Sequence, residues 1–135
     1  MLMPKKVKFR KQQRGNNKGI AVRGSKIIYG DYALKAADRG LMTSRQIEAA
    51  RKAVMHETKR GGKLWIRVFP DKPVVAKPAE TRMGSGKANT DHYAAVIKPG
   101  KVIFEIGGVT RELAKHAFKK AAAKLPIKMR FISKE

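Results

Sequence analysis

Apolar residues recur at helical spacing in the stretch from residue 43 to residue 60. Ile47, Ala50 and Val54 form one stripe, and Thr43 stands three residues before Gln46, which is the spacing of a capping box. The pattern predicts a helix that buries one face. We expect residues 61 and 62, both glycine, to end it, because glycine readily adopts the left-handed conformation that commonly follows a helix.

A second helical stripe follows Thr110, a residue of the type that caps helices. Its apolar members are Ala114, Ala117, Phe118, Ala121, Ala122 and Leu125. The positions between them hold Lys115, Lys119, Lys120 and Lys124. The pattern therefore predicts a helix with a buried face and a basic face, ended by Pro126, which cannot continue a helix.

Short β-rich runs predict the strands. They are residues 26–29, 32–36, 63–69, 92–98 and 101–106, and a last run in which Ile127, Met129 and Phe131 alternate with polar residues. Pro99 and Gly100 suit the central positions of a type II turn, so we expect residues 92–98 and 101–106 to pair as a hairpin. Trp65 is expected in the core. These elements predict an α+β domain with two helices packed on a mainly antiparallel sheet.

Residues 70–91 form a long connection rich in proline and glycine. Pro70, Pro73 and Pro78 favour a stiff extended arm over a strand, because proline offers no backbone donor. The tip of the connection places Gly84 and Gly86 between two cations, which lets backbone amides approach a phosphate. A flexible surface loop is the plain alternative, whereas Walker and dinucleotide-binding patterns both fail at the required positions.

Charge dominates the composition: 32 lysines and arginines stand against 10 acidic residues, a formal net charge of +22 over 135 residues. Such a surplus destabilises a compact domain unless a polyanion neutralises it, and nucleic acid is the first candidate. A membrane surface is the rival polyanion, but neither an amphipathic helix with large apolar residues nor a lipidation signal is evident. We expect no membrane partner and no export signal.

The positive charge is concentrated in two places. Residues 1–24 are predicted to be a basic extension that becomes ordered against RNA, followed by a single domain over residues 25–135; a solubilising tail is the alternative. Its basic residues are Lys5, Lys6, Lys8, Arg10, Lys11, Arg14, Lys18 and Arg23. The first helix is predicted to present a nucleic-acid-binding face made of Arg45, Arg51, Lys52, Lys59 and Arg60.

Little in the sequence favours catalysis. The chain has no cysteine, and its three histidines are far apart, so we predict neither a metal site nor a cofactor. An enzyme acting on nucleic acid would need a general base or a metal centre, and the acids and serines are scattered. A free-standing DNA-binding protein would need a helix that presents base-reading side chains, whereas both helices carry mainly lysine and arginine.

Four motifs carry a resemblance over essentially the whole chain. They are WIRVFPDKPV (residues 65–74), KPAETRMGSGKAN (77–89), QIEAARKA (46–53) and AAAKLPIK (121–128). On these motifs the chain resembles the sixteenth family of bacterial-type large-subunit ribosomal proteins. The resemblance implies an α/β-hammerhead fold and a non-catalytic protein of the ribosome, cytoplasmic or organellar. It also implies binding to 23S-type large-subunit rRNA close to 5S rRNA, to the aminoacyl-site tRNA and to neighbouring ribosomal proteins. The protein would be a monomer within the ribosome and join the subunit late in assembly.

The resemblance also gives the two basic segments expected roles. The extension that holds Lys5 to Arg14 resembles the segment that threads into rRNA near the aminoacyl-tRNA. The loop resembles one that reaches toward the peptidyl-transferase region, with Lys77, Arg82, Met83, Gly84, Gly86 and Lys87 as its expected RNA-binding residues. Ser85 and Ala88 depart from the family pattern, in which a basic residue and a glycine are expected. Some bacterial members hydroxylate the arginine that matches Arg82.

Overall fold

The computed structural model describes residues 2–4, 19–21, 24–75 and 90–134. Seven strands and two helices lie within this part of the chain. In chain order they are β1 (Tyr32–Ala36), β2 (Gly40–Thr43), α1 (Ser44–Glu57), β3 (Lys63–Ile66), β4 (Lys72–Val75), β5 (Thr90–Ile97), β6 (Val102–Gly107), α2 (Arg111–Ala122) and β7 (Met129–Ser133).

The strands form two sheets, in both of which neighbours are antiparallel. The first sheet has the order β3-β6-β1-β7, and the second has the order β2-β5-β4. The helices pack against each other; α1 also contacts β2 and β5 of the second sheet, and α2 contacts β1 and β7 of the first. The predicted α+β class, with two helices packed on antiparallel strands, is therefore confirmed, although one sheet was expected and two are present.

The predicted hairpin is half right. The turn exists: the Lys101 N–H donates to the Lys98 carbonyl at 3.1 Å, and Gly100 has a φ of +94°, as a type II turn requires. The pairing is wrong, because β5 and β6 lie in different sheets. Both edges of β5 are occupied by β2 and β4, and both edges of β6 by β3 and β1. A turn sequence specifies that the chain reverses, but the neighbours of each strand decide the pairing.

Two of the other strand predictions are also corrected. Residues 26–29 are not a strand, and the backbone N–H groups of Ile28 and Tyr29 donate to a side chain of β6 in place of a neighbouring strand. The run expected over 63–69 ends as a strand at Ile66. Strand β2 was not predicted, since its four residues are continuous with α1 and show no alternation of their own.

Part of the expected proline-rich arm is a strand. Residues Lys72–Val75 form β4, which pairs with β5 although Pro73 lies within it. The pairing is possible because β4 is an edge strand with one neighbour, and an edge strand tolerates a residue that lacks a donor. Pro70 and Pro73 are fully buried. The expectation of an extended but unpaired arm is therefore wrong up to Val75, and residues 76–89 lie outside the described residues.

The start of α1 is as predicted. The Thr43 hydroxyl accepts from the Gln46 N–H at 3.2 Å, and the Gln46 side chain accepts from the Thr43 N–H at 2.9 Å, which is a capping box. The expected end is wrong: the helix ends at Glu57, and the left-handed residues after it are Lys59 and Arg60, with φ of 53° and 63°. The glycine pair comes after this turn.

Most of α2 also agrees with its prediction. The Thr110 hydroxyl accepts from the Leu113 N–H at 3.2 Å, and the described core buries the predicted stripe. Leu125 lies beyond the helix end but is buried with it. Phe118 is fully buried and contacts Phe131 of β7, with ring centroids 6.2 Å apart. The core therefore lies between the helix pair and the two sheets.

Candidate nucleic-acid interface

Most basic side chains of the described residues are exposed. They are Lys26, Arg39, Arg45, Lys52, Lys59, Arg60, Lys63, Lys98, Arg111, Lys115, Lys119, Lys120, Lys124, Lys128, Arg130 and Lys134. Carboxylates are scarce by comparison, and three of them are already engaged in ion pairs within the domain. The folded domain therefore presents a strongly positive surface, which favours a polyanionic partner.

Three of the five residues of the predicted basic face lie on α1, and the other two lie beyond its end. Arg45 and Lys52 are exposed and stand seven residues apart, so they share one side of the helix. Arg51 is partly buried and pairs with Glu48, one turn away. Its hydrogen bond lowers the pKa of Glu48 and raises that of Arg51.

The other two members of the predicted face lie beyond α1. Lys59 and Arg60 are exposed on the left-handed turn that follows the helix. The five residues therefore do not form one helical face, because the helix is shorter than the sequence pattern indicated. Contact of any of them with nucleic acid stays a prediction.

The two helices are joined by an ion pair that uses part of this charge. Glu57 near the end of α1 contacts His116 Nε2 at 2.7 Å and Lys120 Nζ at 2.8 Å, both on α2. The hydrogen bond from Lys120 lowers the pKa of Glu57. Lys115 and Lys119 of α2 are exposed, as is Lys124 just beyond the helix.

One cluster was missed by the sequence reasoning: a covering segment, residues 24–31, held against the outer face of the first sheet by Glu105. The Glu105 carboxylate oxygen Oε1 accepts from the backbone N–H of Ile28 at 3.0 Å, Tyr29 at 2.8 Å and Gly30 at 2.9 Å. A Cβ at Gly30 would lie 2.7 Å from the Ile106 carbonyl oxygen, so only glycine allows this approach.

Glu105 itself is fully buried. Its second carboxylate oxygen forms an ion pair with Arg67, and the same guanidinium donates to the Lys26 carbonyl of the covering segment. Burial would raise the pKa of Glu105, but the three backbone amides and Arg67 outweigh it and hold that pKa below its usual value. A signal for this site was present, because Glu105 is the one charged residue in an otherwise apolar strand.

An aromatic pair is formed by two residues next to Glu105: Tyr29, whose N–H donates to it, and Trp65, its cross-strand neighbour. The rings of Tyr29 and Trp65 stack with centroids 6.0 Å apart and planes 19° from parallel. Arg67 Cζ lies 5.3 Å from the Tyr29 centroid, and Lys63 Nζ lies 5.3 Å from the Trp65 centroid. Trp65 was expected in the core and is only partly buried. It alternates along β3 with Leu64, which packs against the core, so its ring projects from the opposite face.

Many predicted site residues lie outside the described residues. They are Lys5, Lys6, Lys8, Arg10, Lys11, Arg14, Lys18 and Arg23 of the extension, and Lys77, Arg82, Met83, Gly84, Gly86 and Lys87 of the loop. Within the part that is described, no group of three His, Asp or Glu side chains is placed to hold a metal ion. No described helix is long and apolar enough to cross a membrane.

Comparison with known proteins gives full-length matches. The model of a family described as "Ribosomal protein L16p/L10e" matches residues 4–132. A protein named "Large ribosomal subunit protein uL16" from Acidovorax sp. (strain JS42) is 57% identical over 135 residues, which is 100% of this chain and 98% of the relative. Proteins with the same name from Paracidovorax citrulli (strain AAC00-1) and Albidiferax ferrireducens (strain ATCC BAA-621 / DSM 15236 / T118) are 56% and 58% identical. They cover 100% and 99% of this chain, and the matches span 98% and 97% of their own lengths.

Proposed function

The chain belongs to the L16p/L10e family of ribosomal proteins and is a structural constituent of the large ribosomal subunit, and from this premise we propose that it binds large-subunit rRNA through its positive surface. Membership of this family implies that the partners of the chain are rRNA and other ribosomal proteins. The finer roles below are our proposal. They require positioning and charge neutralisation, and no chemistry by the protein.

The observation that carries RNA binding is the imbalance of charge on the folded domain. Sixteen exposed lysines and arginines can be counted among the described residues, whereas the buried and partly buried carboxylates are used within the fold. Each phosphate that a lysine or arginine neutralises releases condensed counterions, so affinity for RNA falls as salt rises. Arg45 and Lys52 on α1 offer one such surface.

The extension and the loop are proposed to reach further into the ribosome. By their resemblance to the family, residues 1–24 contact rRNA near the aminoacyl-site tRNA, and the tip of the loop points toward the peptidyl-transferase region. The protein would then help to organise the aminoacyl site, close to 5S rRNA, after joining the subunit late in its assembly. It would act there as a monomer in the cytoplasm, or in an organelle if the gene is organellar.

Measuring RNA affinity at increasing salt concentrations tests the proposal that charge drives binding. If ~8 phosphates are neutralised, log affinity plotted against log salt should have a slope near −6 to −7. Removal of residues 1–14 should make the slope shallower and leave cooperative unfolding intact. A slope shallower than about −2 for the full chain would exclude the proposal that charge drives binding. The native protein should also sediment with large subunits and leave them only at high salt.

Reconstitution of subunits tests the loop. Arg82→Ala and Lys87→Ala are expected to change the free energy of unfolding by less than ~0.5 kcal/mol, as exposed substitutions usually do. Subunits that carry either variant should assemble but accommodate aminoacyl-tRNA more slowly, since a charge-assisted phosphate contact contributes about 1.5–3 kcal/mol. Ser85→Ala is the matched control and should be nearly silent. Normal rates with both charge variants would show that the loop only connects two parts of the chain and does not contribute to tRNA accommodation.

A further inference from the structure

We propose that the stacked rings of Tyr29 and Trp65 form a platform on which an unpaired base of single-stranded RNA stacks. The proposal rests on the proposed function, because it specifies where on the folded domain RNA is recognised by a base and not only by its phosphates. Tyr29 and Trp65 belong in sequence neither to residues 1–24 nor to residues 70–91.

The platform is exposed and yet fixed in position. Tyr29 is 58% exposed, although its ring is stacked on that of Trp65. Its backbone N–H donates to the buried Glu105 carboxylate, so the chain that carries the ring is held by the sheet. Trp65 is carried by β3, which pairs with β6. A surface positioned in this way loses little conformational freedom when a ligand stacks on it.

Positive charge surrounds the rings, which suits the phosphates on either side of a stacked base. Lys63 is exposed with its Nζ over the Trp65 ring, 5.3 Å from the centroid, and Lys26 is exposed on the covering segment. Proteins that bind single-stranded nucleic acid combine the same two parts, aromatic side chains for the bases and cations along the backbone.

One acidic group borders the platform. A Cβ built at Gly107 would lie 3.5 Å from Asp31 Oδ2 and 3.5 Å from Trp65 Cζ3, so the carboxylate and the indole both approach this glycine. The Asp31 carboxylate repels phosphate from that edge and can accept a hydrogen bond from an exocyclic amino group, as carboxylates accept from cytosine. We therefore expect a base that carries an amino group to be preferred over uracil.

The arrangement favours a base over an acidic peptide. A peptide carboxylate would compete for Arg67, which is already paired with Glu105, and would leave the ring surface of Tyr29 uncovered. A base offers a flat π-face to that ring, and every base can stack. Unpaired bases in RNA loops and bulges are commonly bound in this manner.

The chain supplies its own reporter, since Trp65 is its single tryptophan. The full-length protein is mixed with a short oligocytidylate, and binding is followed in parallel by the anisotropy of labelled RNA and by tryptophan emission. We expect emission to be quenched as RNA binds, because a stacked base contacts the Tyr29–Trp65 pair. Inorganic polyphosphate, which neutralises charge but has no bases, should bind without this quenching.

Variants separate stacking from charge. Tyr29→Leu keeps the backbone N–H and the apolar bulk but removes the aromatic face, and it should weaken binding of oligocytidylate about five- to ten-fold. Phe69→Leu is the matched control, because Phe69 is an exposed ring, 47% accessible, and should leave affinity unchanged. The circular dichroism and melting midpoint of both variants should match those of the parent protein. Oligouridylate should quench less than oligocytidylate.

The outcomes distinguish this inference from the proposed function. RNA binding by anisotropy without a change in Trp65 emission would overturn the platform while leaving RNA binding in place. Equal quenching by polyphosphate or by polyglutamate would also overturn it, since neither ligand has a base. Absence of any RNA binding would instead contradict the proposed function itself.

Discussion

The two faces of the first sheet are held by different forces. The inner face carries Leu34, Phe104 and Ile106, which join Phe118 of α2 in the apolar core. On the outer face, Trp65, Glu105 and Ala33 lie side by side across three strands, and a buried carboxylate replaces apolar packing. The inner face depends on area removed from water, which is distributed over many side chains. The covering segment on the outer face is held in its middle by the hydrogen-bonded partners of Glu105 and at its ends by backbone hydrogen bonds of Gly24 and Asp31, so a substitution of Glu105 should loosen the middle of the segment.

The largest expected effect lies on the inner face. Phe118→Ala should lower the free energy of unfolding by about 3–5 kcal/mol, because a fully buried ring is replaced by a cavity. Denaturant titration of the purified protein measures this change, and Ala123→Gly at the exposed C-cap of α2 is the comparison, expected to stay within about 0.5 kcal/mol. A melting midpoint equal to that of the parent protein would show that the inner face does not depend on this ring.

A smaller effect is expected on the outer face. Glu105→Gln keeps the volume but removes the charge that strengthens its hydrogen bonds, and Arg67 loses its partner. We expect a loss of about 2 kcal/mol, the difference that charge makes to such bonds. Amide hydrogen exchange should show where this stability is lost: in Glu105→Gln, exchange should accelerate at Ile28, Tyr29 and Gly30 more than in the core. Asp71→Asn, at an exposed carboxylate, should stay within about 0.5 kcal/mol. Uniformly faster exchange would mean that the two faces unfold as one unit.

Lowering the pH should remove the stabilisation by the Glu105 carboxylate without a mutation. The folded-state pKa of Glu105 is lowered from its usual 4.5, so its stabilising effect is fully present above that value and is lost as pH falls through the folded pKa. Glu48 and Glu57 shift in the same direction, so the parent protein alone cannot isolate Glu105. The difference in unfolding free energy between the parent and Glu105→Gln should be constant near pH 7 and shrink below about pH 4.5. A pH-independent difference would contradict the charge-based account.

The smallest effect is expected at the exposed aromatic ring. Tyr29→Ala leaves the backbone N–H bond to Glu105 in place and removes a side chain that is mostly in solvent. The free energy of unfolding should therefore change by less than about 0.5–1 kcal/mol, the range of an exposed aromatic contact. Thermal melts beside those of Glu105→Gln measure it. A loss equal to that of Glu105→Gln would show that the ring contributes as much to holding the covering segment as the carboxylate does.

The same contrast explains what the sequence could predict. The stripe around Phe118 and the capping box at Thr43 are local patterns, and both helices follow from them. The covering segment could not be read as such, because Ile28 and Tyr29 look like a strand while their amides bond to a carboxylate more than 70 positions away. Trp65 was misplaced for a related reason: its size favours the core, but its position in the alternation of β3 places it on the outer face.

Two further errors in the predictions concern which strands pair with each other. The turn at Pro99 and Gly100 was correct, yet nothing in those residues states that β5 and β6 enter different sheets. Pro73 argued against a strand, and only the edge position of β4 makes it acceptable. For the candidate interface, the basic character of α1 was predictable from composition, whereas the end of the helix at Glu57 depends on the turn at Lys59 and Arg60.

The carboxylate that holds the covering segment also sets a delay during synthesis. Ile28 is made 77 positions before Glu105, to which its amide binds. At about 5–20 residues per second, the usual rate of translation, its anchor is made about 4–15 s later. Strand β1 cannot pair until later as well, because its two neighbours, β6 and β7, are both synthesised near the end of the chain. For several seconds a growing chain that is basic at its start therefore carries an unpaired β1, and its folding is governed by the last third of the polypeptide.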